Sequence, residues 1–278
     1  MKAKAFCPGH ITGFFEICSS SNPIKAGSRG AGICISLGAV AEVSLCKKDI
    51  KAIVNGKNRG EVTEIAMKEL LGEKGAMASI SLSLPISQGF GMSAAGTLAT
   101  TLALASLISM SKEDAIKAAH VAEIKCSTGL GDVVTSARGG MEIRVESGIG
   151  GKIKNIEGEG EIVLAVIGKK MNTKEILQNK KISHKIAKVG KECMEEMIAD
   201  SSLENFFSLS RKFAEETGLM KGKIKDVVEI ANKYGMASMC MLGNSIFAIG
   251  ETEELVKVLS KYGNVYTCKI DKKGARLI

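Results

Sequence analysis

One stretch constrains this chain more than any other. Pro85-Ile-Ser-Gln-Gly-Phe-Gly-Met-Ser-Ala-Ala-Gly96 runs directly into Thr97-Leu-Ala-Thr-Thr-Leu-Ala-Leu-Ala-Ser-Leu107, and Ala78-Ser-Ile-Ser-Leu-Ser-Leu84 precedes it. The pattern predicts a strand, a glycine-bearing loop and the start of an apolar helix. A loop of this kind can turn several backbone N–H groups toward an anion, with the positive end of the helix behind them. Gly89 and Gly91 remove side chains that would block a phosphate. Ser93 stands near the helix start, where its hydroxyl can cap the helix or reach a metal carried by phosphate. No Gly-Lys-Ser/Thr follows the glycines, so this is not a Walker A loop. It is also an imperfect match to the dinucleotide fingerprint, which needs an opening βαβ unit. An isolated Gly-x-Gly turn serves equally well as a tight connection.

The 278 residues suffice for one large domain or two modest ones, and 45% hydrophobic content supports a core. The longest apolar run, Thr97 to Met110, is too short and too rich in hydroxyls to span a membrane. The N-terminal segment lacks a signal-peptide hydrophobic region, which predicts a cytoplasmic protein. Eight cysteines are scattered singly without a Cys-x-x-Cys pair, so they read as small buried hydrophobes rather than as zinc ligands or disulfides. A net charge of +8 suits an anionic small molecule or nucleic acid. The 4% aromatic content and the absence of Trp disfavour base-stacking platforms. The lysines after residue 169 read as solvated helix faces.

Along the chain, strands are expected at Lys2–Cys7, Ile11–Ser19, Gly32–Ile35, Ala39–Lys47 and Ala52–Asn55, followed by a helix at Val62–Leu71. After the loop and its helix, Ser111 and Asp114 form a capping pair for a helix over Lys112–Cys126. A short helix near Val133 and a strand over Met141–Glu146 come next. Residues 147–161 are the candidate linker or hairpin, which divides the chain into domains at 1–155 and 156–278. The second part reads as strand, helices, two strands, helix, strand, an order that suits a ferredoxin-like domain. The site is expected between the two domains.

The full run at Pro85–Gly96 resembles the second motif of the GHMP kinases, with Phe90 in place of the common Leu and Met92 in place of the first Ser. Cys7-Pro-Gly-His-Ile-Thr-Gly resembles their first motif, with His10 where many relatives carry Lys. Combined with Gly27-Ser-Arg-Gly-Ala-Gly32 and Gly129-Leu-Gly-Asp-Val133, these segments are similar to the archaeal pantoate kinases within that family. The likeness covers about the first 145 residues and continues loosely through Met239–Ala248, a degenerate third motif that keeps Gly243. It implies an α+β GHMP kinase fold: an N-terminal ribosomal protein S5 domain 2-like domain and a C-terminal ferredoxin-like domain. The implied reaction is ATP-dependent phosphorylation of the primary hydroxyl of pantoate to 4-phosphopantoate, on the way to coenzyme A.

Carried onto this sequence, the resemblance assigns ATP to the loop residues Pro85, Gly89, Phe90, Gly91, Met92, Ser93, Ala94 and Ala95. Mg²⁺ goes to Ser93 and Glu123. Glu123 and His120 share one helix face by their spacing of three. Alone, Glu123 reads as a surface glutamate and His120 as a polar residue with one local partner. Asp132 is the catalytic candidate, an acceptor for the alcohol's proton, or else an N-cap of the helix behind it. Pantoate carries a carboxylate, so Ser28, His120 and Arg144 are assigned to the acceptor. Arg144 reads otherwise as an ion-paired edge residue beside Glu142 and Glu146. Arg29 is left between substrate and surface roles. The expected partners are ATP, pantoate and a second copy of the chain in a homodimer, with neither nucleic acid nor membrane. Two other readings stay open: another small-molecule kinase of the family, of the mevalonate or homoserine type, and a non-catalytic nucleic-acid-binding protein on the same fold.

Overall fold

The structure, a computed structural model, describes residues 1–72 and 74–278. Its frame is a pair of long strands, β1 (Lys2–Cys18) and β2 (Gly27–Cys46), paired antiparallel along almost their whole length. Reading the sequence breaks each of them in two at its Pro and Gly positions. The pairing instead runs through, with register shifts between Pro8 and Gly9 and between Thr12 and Phe14. Such shifts accommodate a proline, bend the strand and re-aim its side chains. Here they bracket His10.

β3 (Ile50–Val54), β4 (Asn58–Arg59), α1 (Glu61–Leu71) and β5 (Gly75–Leu82) follow. β3 and β5 are parallel, and α1 supplies the crossover that such a pair requires. Then come α2 (Met92–Leu107), α3 (Lys112–Cys126), α4 (Asp132–Arg138), β6 (Met141–Arg144) and β7 (Ile153–Ile156). α2 is buried from Ala94 to Ala105, as its apolar circumference dictates. Its hydroxyls are satisfied internally: Thr100 donates to the Gly96 carbonyl at 2.8 Å, and Thr97 pairs with Thr63 of α1 at 3.0 Å. The predicted capping box of α3 is present, with Asp114 N–H donating to Ser111 Oγ at 3.1 Å. Part of the expected linker forms β7, which pairs with β6.

The second sheet contains β8 (Glu161–Val166), β9 (Gly235–Met239), β10 (Ser245–Gly250) and β11 (Asn264–Lys269). α5 (Thr173–Gln178), α6 (Lys180–Ala199), α7 (Leu203–Glu216) and α8 (Lys223–Ala231) lie between β8 and β9, and α9 (Thr252–Leu259) between β10 and β11. The strand order β11-β8-β10-β9, all antiparallel, is the ferredoxin-like arrangement expected for this part, and the whole is the α+β fold expected for the chain.

The two sheets share one core. Phe14 of β1 stacks with Phe206 of α7 at 6.4 Å between ring centroids, and Phe206 with Phe247 of β10 at 6.0 Å. α6 crosses β1 at Gly190, where a β-carbon would collide with the Phe15 carbonyl. A last strand, β12 (Arg276–Leu277), returns from the second sheet and pairs with β1. Its two residues give no periodic signal in the sequence. Cys7, Cys34, Cys193, Cys240 and Cys268 are buried, as small hydrophobes should be, while Cys46 is exposed. No described helix is long and apolar enough to cross a membrane.

Candidate active site

A cleft of about 620 Å³ opens where β1, the loop before α2, the start of α4 and the segment after β8 converge. Gly89 (φ 78°) and Gly91 (φ 64°) occupy left-handed backbone that other residues adopt at a cost. Gly91 is also the N-cap of α2 and supplies no side chain to it. The first N–H groups of α2 therefore face the cleft with no side-chain cap, as an anion site requires. The loop is clamped from both sides. His10 N–H donates to the Phe90 carbonyl at 3.1 Å, and a β-carbon on Gly89 would lie 2.8 Å from the Met241 carbonyl.

The degenerate third motif acquires a role in this clamp. Asn244 N–H donates to Gln88 Oε1 at 3.2 Å, Ser245 Oγ donates to the Gln88 carbonyl, and Met241 and Leu242 line the cleft. Phe90 and Met92, which depart from the family's usual residues, are buried anchors of the loop. Gly89, Phe90, Gly91, Met92, Ser93 and Ala94 line the cleft. Pro85 and Ala95 do not: Ala95 is fully buried against the core, and Pro85 lies one residue short of the lining, so both shape the loop from behind.

Ser93 and Glu123 meet as expected. Ser93 Oγ donates to Glu123 Oε1 at 2.6 Å. Sequence reasoning did not assign Thr128, whose hydroxyl donates to the other oxygen, Oε2, at 2.7 Å. It immediately precedes the Gly129-Leu-Gly-Asp-Val133 segment. Gly129 leaves room for this carboxylate: a β-carbon there would lie 2.8 Å from Glu123 Oε2. Glu123 is 2% exposed, and burial pushes its carboxyl up to about 7 against the two hydroxyl hydrogen bonds. A desolvated carboxylate beside a hydroxyl has strong reason to take a hard cation. No group of three or more His, Cys, Asp or Glu side chains poised for a metal occurs among the described residues. One carboxylate and one hydroxyl suit a Mg²⁺ that brings its remaining oxygens from phosphate and water.

A chain of alternating charges lies beneath the cleft. Arg144 Nη1 donates to Glu142 Oε1 at 2.8 Å, His10 Nε2 lies 3.0 Å from the same oxygen, and His10 Nδ1 lies 2.7 Å from Asp132 Oδ1. Thr12 Oγ1 donates to Asp132 Oδ1 at 3.3 Å. The side chains of Arg144, Glu142 and His10 are at most 3% exposed, whereas that of Asp132 is 25% exposed and borders the cleft. The glycines of β2 make room for this chain: a β-carbon at Gly32 would overlap His10 Nε2, and one at Gly30 would lie 2.9 Å from Arg144 Nη2. Burial would raise the Asp132 carboxyl, but its contact with His10 holds it below the ordinary carboxylate range.

The other assignments divide. Asp132 is not the N-cap of α4; Gly131 is, and the Asp132 side chain makes no capping bond. Ser28 lines the cleft. Arg144 is no exposed edge residue. Its Nε is buried without a hydrogen-bond partner, and a β-carbon on Gly131 would lie 2.8 Å from both Arg144 Nε and Ser28 Oγ. Arg144 Nε and Ser28 Oγ thus crowd against Gly131 and leave no room for a side chain there; of the two, Ser28 lines the cleft and Arg144 lies behind it. His120 does not line the cleft. Its Nε2–H donates to the Pro23 and Ala26 carbonyls, both at 3.1 Å, and burial lowers its pKa, so the neutral ring braces the turn leading into Ser28. Arg29 pairs across the strands with Glu16 at 2.9 Å, away from the cleft lining.

Residues 59–140 match the family model of the GHMP kinases N terminal domain. The pantoate kinase of Methanocaldococcus jannaschii is 35% identical over 95% of this chain and 99% of its own length. That of Thermococcus kodakarensis is 34% identical over 92% of this chain and 90% of its own. A solved phosphotransferase related to the CoA biosynthesis pathway superposes with a TM-score of 0.92 at 29% identity, covering 100% of this chain and 99% of that one. A crystal structure of mevalonate kinase, at 19% identity and a TM-score of 0.68 over 98% of this chain and 100% of its own, shares the fold.

Proposed function

Because this chain belongs to the pantoate kinase family of the GHMP kinases, we propose that it transfers the terminal phosphoryl group of ATP to the primary hydroxyl of pantoate. The product is 4-phosphopantoate, an intermediate on the way to coenzyme A. The observation that carries the reading is the position of Asp132. It borders the same cleft as the uncapped start of α2 and Ser28, and its Oδ1 is held by His10.

In this reading residues 1–155 supply the surface for nucleotide and acceptor, and residues 156–278 buttress the phosphate loop through Asn244 and Ser245. Residues Gly89 to Ala94 cradle the phosphates with backbone N–H groups. Ser93 and Glu123 would hold Mg²⁺. When bound, the ion supplies charge neutralisation between phosphate oxygens. Ser28 Oγ on the cleft wall, with the Arg144 guanidinium behind it, receives the acceptor's carboxylate. That anchor fixes the far end of the molecule, so its hydroxyl meets the free side of Asp132. His120 contributes by bracing the turn before Ser28.

Asp132 orients the hydroxyl and takes its proton as the phosphoryl group departs from ADP. Its depressed pKa makes it a weak base. That is sufficient for a loose transition state, in which positioning and charge stabilisation dominate and proton transfer comes late.

The test is a coupled assay of ADP release with ATP, Mg²⁺ and a panel of pantoate, mevalonate, homoserine and shikimate. Pantoate should give the highest kcat/KM by orders of magnitude. A preference for another alcohol, or no ADP release with any of them, overturns the assignment.

A further inference from the structure

His10 stands in the first motif where many kinases of this fold carry a lysine, and nothing above gives it a role in the reaction. Its surroundings do. The ring is fully buried, with a carboxylate oxygen on each side: Asp132 Oδ1 at 2.7 Å from Nδ1 and Glu142 Oε1 at 3.0 Å from Nε2. A neutral imidazole has one N–H and one lone pair. In this setting its lone pair would point straight at a buried carboxylate oxygen, an arrangement that costs what any unpaired buried acceptor costs and more. Two N–H groups satisfy both neighbours at once. The backbone is built for this ring, since Gly32 leaves the place for it and the register shifts on either side turn it inward from β1.

We infer that His10 is a positioning residue that works as a doubly protonated imidazolium, pinning Oδ1 of Asp132 so that Oδ2 is left for the acceptor hydroxyl. The inference rests on the kinase reading for its consequence, though not for its chemistry. The described hydrogen bonds to the Asp132 side chain, from His10 and Thr12, both fall on Oδ1. The other end of the ring reaches Arg144 through Glu142 Oε1, which accepts from both. The order Arg144, Glu142, His10, Asp132 thus alternates in sign and is neutral as a set. Removing the imidazolium charge would leave two carboxylates facing one cation beneath the cleft. A single lysine amine could supply the charge, but only the ring fixes two carboxylates along one line.

The charged groups facing His10 are Asp132 from α4 and Glu142 from β6, with Arg144 behind Glu142; the neutral thiol of Cys34 on β2 feels the same Glu142. Burial opposes the proton on His10, and the two carboxylates outweigh it, raising the pKa to about 9.

The chain has three histidines, so nitrogen-15 spectra of the intact enzyme resolve each imidazole. His10 should show two N–H groups at pH 7.5 and lose one near pH 9. A neutral ring at pH 7.5 overturns the inference. This measurement needs no acceptor, so it stands or falls apart from the choice of substrate.

Kinetics give the second arm. His10→Asn should lower kcat about 10- to 100-fold, the scale of a charge-assisted contact, while ATP affinity measured by calorimetry stays within about 2-fold. The wild-type kcat should fall on the alkaline side near pH 9, His10→Asn should lack that limb, and His10→Lys should recover part of kcat with the limb moved upward. A His10→Asn enzyme with wild-type kcat, or one that keeps the same alkaline limb, overturns the inference. If His10→Asn does not fold, the limb in His10→Lys decides alone: a limb left near pH 9 overturns it. Should the wild type phosphorylate none of the tested alcohols, the functional assignment fails while the spectra still decide the charge of His10.

Discussion

His10 Nδ1 and Asp132 Oδ1 lie 2.7 Å apart although 122 positions separate them in the chain. The contact joins the first and last of the N-terminal motifs and converts Asp132 from an ordinary surface acid into an oriented one.

Asp132→Asn should therefore lower kcat about 10²- to 10⁴-fold, the range of general-base effects, with binding of ATP and pantoate retained. Because Asp132 is the partner of a buried ring and not a cap, the same change should also lower the melting temperature at pH 7. Steady-state kinetics, calorimetry and a thermal scan on one preparation check all three.

Glu123→Gln should do the reverse to stability. Burial holds the Glu123 carboxyl at about 7, so its ionised form is costly in the folded state at neutral pH. A neutral amide in its place should raise stability at pH 8 by about 1–3 kcal/mol while productive use of Mg²⁺ collapses. Ser93→Ala should weaken turnover at limiting Mg²⁺ more than at saturation. Wild-type metal dependence in both variants would remove them from the cation site.

Arg144→Lys and Gly131→Ala address the acceptor pocket from its two walls. Lysine keeps the charge but loses the planar fork. An alanine β-carbon would come within 2.8 Å of Arg144 Nε and Ser28 Oγ and push them apart, and the Gly131 backbone (φ −157°, ψ −14°) suits glycine better than alanine. Each should raise KM for pantoate about 10-fold or more, with nucleotide affinity unchanged by calorimetry. A loss of ATP binding instead would move this pocket to the nucleotide.

Stability should depend on pH through His10. Its folded pKa, about 9, lies above the ordinary 6.5. The bound proton therefore contributes stability that is complete below pH 6.5 and is lost as pH rises through 9. Chemical denaturation should show a decline over that interval of up to about 3 kcal/mol. Glu123 also loses stability with rising pH, but its window runs from the ordinary 4.5 to about 7 and is nearly over before the His10 decline begins. The slope between 7.5 and 9 should be absent in His10→Asn.

The fold was legible wherever the chain repeats a pattern. Helix α3 announces itself by Ser111 and Asp114, and the strand and helix order of the second sheet follows from periodicity. Loop chemistry was legible too, because Gly89, Gly91 and Ser93 stand at alternate positions within five residues. What stayed hidden depends on contacts across the chain. No local pattern tells that His120 turns to the carbonyls of Pro23 and Ala26, or that the glycines at 30 and 32 are spaces for His10 and Arg144. Thr128 was overlooked because a threonine beside a glycine looks like a turn, and only the tertiary placement of Glu123 gives it a partner. The division of β1 at Pro8 was expected on local grounds, and the long pairing with β2 overrode it.

The return of β12 to β1 has a mechanical consequence. The chain leaves the first sheet after Ile156 and comes back after Lys269, so the second sheet is an insertion tethered at both ends, with Ala5 paired to Leu277 at its return. Two tethers prevent the swivel that a single linker permits. Any relative motion of the two sheets must therefore bend both crossings at once. Proteolytic nicking within residues 147–152 should accordingly leave one particle on a native gel, held by the second crossing, and not two separable halves.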